Sequence, residues 1–413
     1  SARIPFAKSM TAYRGVNAVQ MMSAPLAELR AKFGLTDGPL GDVALGAVMN
    51  SSADWNISRE AVLEAGLDPY TPAYNVQRAC GTGLETVGQL ASKIALSQIE
   101  DGIGGGYDTN SVAPIEVSDR LRDTLLNANS ARTMGDRLKI FSRLRPADLL
   151  PKTPAVVEKR TRMSMGQHCE IMAKEWQISR ESQDELALAS HLNAAKAYDS
   201  GFYTDLVMQF KGANKDLLVR ADTTLEKLSK LKPAFDKKGG TLTAGNSSPL
   251  TDGSSAVLLA SSERAKQRDW APLARFVDVE SSAIDFVKGD GLLMAPTVAV
   301  GRLLQRNNLK LQDFDYYEIH EAFAAQVLCT LKAWESDAYC RKFLKMDALG
   351  SIDRAKMNIV GGSTALGHPF GATGGRIVGT LAKLLSNHKG QGRGLISICT
   401  AGGMGVAAIL ETV

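Results

Sequence analysis

The sequence predicts an α/β fold in which strands alternate with helices and pair largely in parallel. Two observations predict it: the alternation of strand-like and helix-like segments, and an internal repeat. Short apolar runs typical of strands occupy 42–49, 395–399 and 406–410. An amphipathic stretch typical of a helix occupies 84–99, where apolar residues at three- and four-residue spacing form one face.

The internal repeat relates the 84–99 helix to a segment 291 residues further along the chain. Six residues recur there in register: Thr82, Gly83, Val87, Gly88, Leu90 and Ala91 reappear as Thr373, Gly374, Val378, Gly379, Leu381 and Ala382. Each copy is a glycine-rich turn that enters a helix. We interpret the match as an internal duplication rather than as a chance likeness between two helices.

Composition excludes several classes of function. The 413 residues are 44% hydrophobic and carry a formal net charge of only +4, which is too mild for a dedicated nucleic-acid binder. Five cysteines with no C-x-x-C pair argue against a disulfide framework or a zinc knuckle, and favour the reducing cytoplasm. No apolar run approaches the roughly 18 residues of a membrane span. A removed targeting segment would instead indicate a mitochondrion or another organelle.

The mild positive charge is concentrated in one segment. Residues 131–165 hold nine Lys or Arg against three acids, a local net charge of +6. The segment is predicted to be an insertion that faces an anionic ligand, although a solvated basic surface is the alternative. Beyond it, Ser179 is predicted to cap a helix that runs to about Tyr198.

The motif N-V-Q-R-A-C-G-T-G places Cys80 at a strand-to-helix turn, just before the 84–99 helix. Unpaired N–H groups at a helix N-terminus stabilise a thiolate. We therefore expect Cys80 to be a nucleophile whose thiol pKa is lowered into roughly the 3.5–7.5 range. A buried structural cysteine is the alternative interpretation of this motif by itself.

Three further motifs carry groups that can move protons or stabilise negative charge. His368 stands on a rigid turn in G-G-S-T-A-L-G-H-P-F-G-A-T-G-G, which lacks the G-K-[ST] of a phosphate loop. Cys399 ends a strand in S-I-C-T-A-G-G-M-G, and the small residues after it suit an oxyanion hole. His320 and Glu321 lie in Y-E-I-H-E-A-F, before a helix predicted over 322–332. Each histidine taken singly is compatible with a structural role.

The chain resembles the thiolase family in five motifs that follow one another in order: C-G-T-G, A-G-N-S-S, H-E-A-F, G-H-P-x-G-x-T-G and C-x-A-G-G. The resemblance implies the thiolase fold, in which two duplicated βαβαβαββ halves form a five-layer α-β-α-β-α core. It implies an N-terminal half at 1–119 and 246–273, an inserted loop domain covering CoA at 120–245, and a C-terminal half at 274–413. Residues 3–8 match the segment directly after the family's first strand, so we expect most of that strand to be absent from this sequence.

The resemblance also implies a reaction, the CoA-dependent cleavage of a 3-ketoacyl-CoA into acetyl-CoA and a shortened acyl-CoA, with no metal and no permanently bound cofactor. Cys80 matches the acylated nucleophile, His368 the base that activates it, and Cys399 the group that moves a proton at the α-carbon. His320 matches a residue that orders a water at the enolate oxygen. The backbone N–H groups of Cys80 and Ala401 match an oxyanion hole.

The resemblance also identifies residues that are expected to bind the substrate coenzyme A. The resemblance implies contacts to its pantetheine arm from Met165, Phe235, Ser248 and Phe323. The basic 131–165 segment lies in the loop domain, where it is expected to meet the phosphates of CoA or a membrane surface.

Two departures from the common thiolase pattern indicate a branch. Many members carry Asn where His320 stands and Gly where Ala401 stands. The pair found here is similar to the β subunit of the trifunctional complex of fatty-acid oxidation and its bacterial relatives. This favours degradation in β-oxidation over the biosynthetic acetoacetyl-CoA thiolase. It also implies a homodimer or homotetramer and a hydratase/dehydrogenase α-subunit partner.

Three other hypotheses remain open from the sequence. Decarboxylating ketoacyl synthases use one cysteine and two histidines, which Cys80, His320 and His368 imitate, although Cys399 argues against that class. The chain could instead be an interaction subunit that keeps the fold without turnover. Lastly, the four reactive residues could form a metal site.

Overall fold

The computed structural model describes residues 1–154 and 157–413. Ala155 and Val156, which belong to the basic 131–165 segment, lie outside the described residues. The strands are β1 (Ala2–Arg3), β2 (Ala7–Lys8), β3 (Asp42–Leu45), β4 (Ala73–Asn75), β5 (Asp101–Asp108), β6 (Thr251–Ala260), β7 (Arg275–Ala283), β8 (Tyr316–Ile319), β9 (Arg393–Thr400) and β10 (Met404–Glu411).

Helices separate most of these strands. They are α1 (Ala18–Phe33), α2 (Ile57–Glu64), α3 (Thr82–Ala95), α4 (Asp119–Ser130), α5 (Met134–Phe141), α6 (Met165–Glu175), α7 (Arg180–Asp199), α8 (Leu225–Ser229), α9 (Ser262–Gln267), α10 (Ala295–Asn307), α11 (Ala324–Trp334), α12 (Asp337–Phe343), α13 (Ser363–Leu366) and α14 (Thr373–Ser386). Short 3₁₀ turns occur at Pro146–Leu149, Phe286–Lys288, Arg354–Lys356, Phe370–Ala372 and Ala401–Gly403.

The strands form two sheets with equivalent strand orders. The first runs β4-β3-β5-β6-β1, with β2 also paired to β6, and the second runs β8-β9-β10-β7. In the first sheet, β4 pairs in parallel with the outer edge of β3. In the second sheet, Met357 forms a single parallel bridge to Tyr317 at the corresponding edge of β8. The duplication inferred from the sequence is therefore present in the strand order.

The two sheets lie in a five-layer arrangement, as the resemblance implied. Apolar residues of α1 and α2 pack on one face of the first sheet. Helices α3 and α14 fill the space between the sheets, where Val87 and Ile377 contact a shared core with Ile398 of β9. Helices α10 and α11 cover the far face of the second sheet. Each sheet thus buries both faces.

The expectation of largely parallel pairing is wrong. Among the strand pairs of the described residues, β4-β3-β5 and β8-β9 are parallel, whereas β6 runs antiparallel to β5 and β1, and β10 runs antiparallel to β9 and β7. The turn at Ala401–Gly403 is too short for the crossover that a parallel pair requires, so β10 must return beside β9 in the opposite direction.

Several local predictions are confirmed, but the helix predicted over 84–99 ends at Ala95, and one strand is shorter than expected. Helices α3 and α14 both begin and end 291 residues apart, and the Ser179 side chain accepts the Ser182 N–H at the start of α7. The strand predicted over 42–49 ends at Leu45. Beyond it, the N–H groups of Val48 and Met49 donate to the side-chain carboxylate of Asp108 at 2.9 to 3.1 Å and not to the backbone carbonyl of a neighbouring strand.

Segment 120–245, which the resemblance predicts to be an inserted domain, divides into a part that packs on the core and a part that does not. Cys169 and Met172 of α6 and Leu186 of α7 join the apolar cluster under the second sheet. Helix α5, in contrast, buries none of its residues. Within the described residues, no helix is long and apolar enough to cross a bilayer.

The first turns of α3 and α14 meet backbone to backbone. A Cβ at position 374 would lie 2.1 Å from the backbone nitrogen of Leu84, and one at position 83 would lie 2.6 Å from the carbonyl oxygen of Gly371. Only glycine permits this approach. The contact joins the two halves of the molecule at the residues that the repeat identifies.

We expect Gly374→Ala to lower the free energy of unfolding by about 3 kcal/mol, because the helices must separate to admit the methyl group. Urea denaturation measures this change. The matched control is Gly135→Ala in α5, where the nearest atom to the new Cβ is 3.9 Å away. It should be neutral or stabilising by up to about 1 kcal/mol. Equal midpoints for both variants would contradict a backbone-tight contact.

Candidate active site

Cys80 lies in a tight turn just before α3. The hydroxyl of Thr82 donates to the carbonyl of Ala79 at 2.7 Å and accepts the N–H of Arg78 at 2.8 Å. Ala79 is held at φ 43°, a left-handed conformation that is strained for alanine. The turn therefore fixes the thiol at the N-terminal end of α3, as the motif predicted.

The Cys80 thiol is not the low-pKa thiolate that its helix position led us to expect. Cys80 is only 8% exposed, and this burial raises the pKa of its thiol to about 12. The N–H groups of Ala401 and Cys80 favour the thiolate, but exclusion of water outweighs them. The resting thiol is neutral, so it needs an adjacent base for activation.

Cys399 and Ala401 lie beside this thiol. Cys399 is the next-to-last residue of β9, lies opposite Gly405 and is 1% exposed. Burial, and then the neighbouring Cys80 sulfur, raise the pKa of Cys399 well above its ordinary value. The Ala401 N–H donates toward Cys80, so the two N–H groups proposed for the oxyanion hole converge on one sulfur. A thioester oxygen formed at Cys80 would meet these donors.

His368 is held on the turn before α14. Its backbone N–H donates to the Thr251 hydroxyl at 3.1 Å, and its ring Nδ1 is 2.7 Å from the Thr373 hydroxyl. Burial, assisted by the positive charge of Arg376, lowers the pKa of His368 to about 3. The ring is therefore a neutral imidazole at rest.

His320 lies against His368, with their ring centroids 4.2 Å apart. Its backbone N–H donates to the Ser397 carbonyl at 2.8 Å, which extends the β8–β9 pairing by one residue. The next residue, Glu321, anchors the neighbouring turn by accepting from Ser190 and Asn358 at 2.7 and 2.6 Å. Burial lowers the pKa of His320 well below its ordinary value, and His368 and Arg376 add to the effect.

The four predicted reactive residues thus come from two halves that meet at one place. Cys80 precedes α3, His368 precedes α14, and the first turns of these helices are in backbone contact. The Asp108 carboxylate fixes the same junction, because it accepts the Gly371 N–H at 2.7 Å.

The four residues expected to contact CoA also lie together. The rings of Phe235 and Phe323 meet edge to face at 5.8 Å, and Phe235 packs over Gly166 beside Met165. Ser248 donates through both its N–H and its hydroxyl to the carbonyl of Ala322, at 3.0 and 2.9 Å. The Ser248 oxygen is therefore free only as an acceptor.

Comparison with known proteins identifies the family. The family model for the thiolase N-terminal domain matches residues 1–263, and the model for the thiolase C-terminal domain matches residues 270–412. The chain belongs to the thiolase family.

Individual thiolases agree with this assignment. The chain is 45% identical to the 3-ketoacyl-CoA thiolase of Pectobacterium carotovorum, over 99% of this chain and 94% of that protein. It is 43% identical to the 3-ketoacyl-CoA thiolase of Yersinia enterocolitica, over 99% and 95%. The crystal structure of acetyl-CoA acetyltransferase from Bacillus anthracis superposes with a TM-score of 0.82 at 31% identity, covering 100% of this chain and 97% of that one.

Two of the hypotheses left open by the sequence lose support. A thiolase is not a decarboxylating ketoacyl synthase, so the likeness to that class ends at the shared cysteine and histidines. Among the described residues, no group of three or more His, Cys, Asp or Glu side chains is arranged to hold a metal ion.

The thiolase motifs contain polar residues to which the sequence alone assigned no role. Ser363 lies inside the His368 motif, Arg376 directly follows it, and the two side chains contact one another behind His320. Arg376 is 2% exposed. In the sequence, its charge stands out among the small and apolar residues of the first turns of α14, and this could have indicated a buried functional role. Glu158, from the inserted segment, accepts the Gly402 N–H at 2.9 Å and so holds the turn that presents Ala401. No local pattern indicates that contact.

The lowered histidine pKa values make a prediction about pH. Below its ordinary pKa of 6.5, His368 binds a proton in the unfolded chain but not in the fold, so it costs stability as pH falls. We expect the stability of wild type relative to His368→Asn to fall by up to about 1.4 kcal/mol per pH unit below this value.

Urea denaturation near pH 7 and pH 5 measures this difference. The comparison is made between variants because burial raises the pKa of Asp108 to about 6 and of Glu318 to about 8, and these carboxyl groups act in the opposite sense in both proteins. A difference that stays constant with pH would show that His368 is not held neutral.

Proposed function

We propose that this thiolase is a 3-ketoacyl-CoA thiolase (acetyl-CoA C-acyltransferase) that acts in fatty-acid β-oxidation. The observation that carries the proposal is the convergence of a buried thiol, a neutral imidazole and a second thiol at the junction of the two halves. The relatives at 43 to 45% identity that are named 3-ketoacyl-CoA thiolase support the same conclusion.

The first half-reaction transfers an acyl group to Cys80. His368 takes the thiol proton, and the thiolate adds to the keto carbon of the substrate. The bond between Cα and Cβ breaks, and its electron pair stays on Cα as the enolate of acetyl-CoA. His368 and a water ordered by His320 stabilise the enolate oxygen, and the Cys399 thiol protonates Cα.

The second half-reaction releases the shortened chain. The Cys399 thiolate takes the proton of an incoming CoA thiol, which then attacks the acyl carbon on Cys80. The N–H groups of Cys80 and Ala401 bind the oxygen of this tetrahedral intermediate. The Cys80 sulfur leaves and recovers its proton from the imidazolium of His368. Burial suits this sequence of steps, because a dry site excludes water from the acyl-enzyme.

Coenzyme A binds, in this proposal, where the inserted segment 120–245 meets the rest of the chain at 1–119, 246–273 and 274–413. The half-buried rings of Phe235 and Phe323, with Met165, offer an apolar wall to the pantetheine arm. Ser248 accepts a hydrogen bond from a pantetheine amide.

Degradation is favoured over the biosynthetic acetoacetyl-CoA reaction. His320 with Ala401 is similar to the trifunctional-complex branch, and the acetyl-CoA acetyltransferase structure is less similar to this chain than are the degradative relatives. The branch supports a homodimer or homotetramer and a hydratase/dehydrogenase partner. Five unpaired cysteines suit the reducing cytoplasm.

The basic 131–165 segment is proposed to contact the CoA phosphates or a membrane surface. In support of the second role, six large apolar side chains in the described part of the segment are exposed: Met134, Leu138, Phe141, Leu149, Leu150 and Val157. An apolar side chain flanked by basic groups suits the interface of an anionic bilayer.

The test of the proposed function is a thiolysis assay with 3-ketoacyl-CoA substrates of increasing chain length, with and without a hydratase/dehydrogenase partner. Wild type should form acetyl-CoA and an acyl adduct on Cys80 detectable by mass spectrometry. Cys80→Ala should lose both, because no nucleophile remains. Cys340→Ala is the control, since it removes a buried thiol of α12 outside the site. If pure wild type forms neither product nor adduct, the interaction-subunit hypothesis is correct.

A second assay should distinguish the role of Cys399 from that of Cys80. We expect Cys399→Ser to abolish exchange of the acetyl-CoA α-protons with deuterated solvent, because the hydroxyl is too weak an acid and its anion too strong a base for this transfer. Acylation of Cys80 by acyl-CoA should persist in the same variant. Undiminished exchange would remove Cys399 from its proposed role.

A further inference from the structure

Ser363 stands between Arg376 and His320 behind the proposed enolate site. The Arg376 guanidinium donates to the Ser363 oxygen at 2.8 Å, and the same oxygen is 2.9 Å from Nδ1 of His320. All three side chains are excluded from solvent, since His320 is 1% exposed, Arg376 is 2% exposed and Ser363 is fully buried. Where two buried polar groups contact only each other, one of them donates and the other accepts.

Counting hydrogens decides how the chain is arranged. Arginine has donors only, so Ser363 accepts from Arg376. The serine hydroxyl then has one hydrogen to donate, and among the described residues the remaining partner of its oxygen is Nδ1 of His320. If Nδ1 carried a hydrogen, the serine hydrogen would be buried without an acceptor. Nδ1 is therefore the acceptor, and a neutral ring then carries its hydrogen on Nε2.

The other ring nitrogen is unused by the protein. Nε2 of His320 is buried and has no hydrogen-bond partner among the described residues. The ring lies 4.2 Å from His368, beside the site at which the enolate oxygen is proposed to form. Because Arg376 and His368 disfavour a positive charge on His320, its tautomer is the variable that decides whether it offers a donor or an acceptor.

We propose that Ser363, itself held by Arg376, is a positioning residue that fixes His320 in the Nε2–H tautomer. His320 then presents a hydrogen-bond donor toward the thioester oxygen, directly or through one water. The role rests on the proposed thiolase function, in which that oxygen becomes negative. The opposite tautomer would present a lone pair to the enolate and oppose the reaction.

The direct test is nitrogen-15 NMR of the protein labelled at histidine, which contains only five such residues. The His320 signals are assigned by their loss in His320→Asn. Wild type should show the Nε2–H tautomer, and Ser363→Ala should show a mixture or the Nδ1–H form. An Nδ1–H ring in wild type, or an unchanged tautomer in Ser363→Ala, would overturn the proposal. The spectra require no turnover, so they stand even if the thiolysis assay fails.

A kinetic cycle tests the consequence for catalysis. Ser363→Ala should lower kcat by about 10-fold with little change in KM, a smaller effect than outright loss of an oxyanion donor. The loss should vanish in the His320→Asn background, because an amide has no tautomer to set. An equal loss in both backgrounds would instead mean that Ser363 is merely structural. The matched control is Thr364→Val, which removes a neighbouring buried hydroxyl with no partner among the described residues.

Discussion

The backbone contact between α3 and α14 is the constraint on which the rest of the structure depends. Gly83 and Gly374 allow the first turns of the two helices to approach more closely than any side chain would permit. These helices form the central layer, so the contact fixes how the two sheets are spaced around it. It also carries the turns of Cys80 and His368 to one point, although 288 residues separate them in the chain. Packing and site geometry therefore share a single cause.

Burial determines the chemistry of that point. The two thiols and the two imidazoles are all shielded from water, and in each case desolvation is the main cause of the pKa change. The result is a site whose four groups proposed to react are neutral at rest. In the proposed reaction, charge appears only when a proton moves between these groups, and the N–H groups of Cys80 and Ala401 are already in place to stabilise it. A thiolate formed in advance would need no base, but it would need water around it to stabilise its charge, and water could then hydrolyse the acyl-enzyme.

Contacts behind the reactive groups keep this neutral site in order. Arg376 favours neutral histidines by its charge and orients Ser363 by its hydrogen bond. Asp108 ties the loop after β3 to the turn that carries His368. Glu158 connects the segment proposed to cover CoA to the turn at Ala401–Gly403, whose Ala401 N–H is the proposed oxyanion donor. These carboxylates and the guanidinium act by position and not as reactants.

The sequence by itself determined the α/β class, the duplication, the helices α3 and α14, the Ser179 cap and the family motifs. These follow from spacing and capping, which act between near neighbours in the chain. Only the tertiary structure decided that most strand pairs are antiparallel, that the strand at Asp42 stops at Leu45, and that the Cys80 thiol is neutral. The tertiary structure also decided the series of hydrogen bonds from Arg376 through Ser363 to His320. Each depends on water exclusion or on partners far away in sequence, and neither leaves a local pattern.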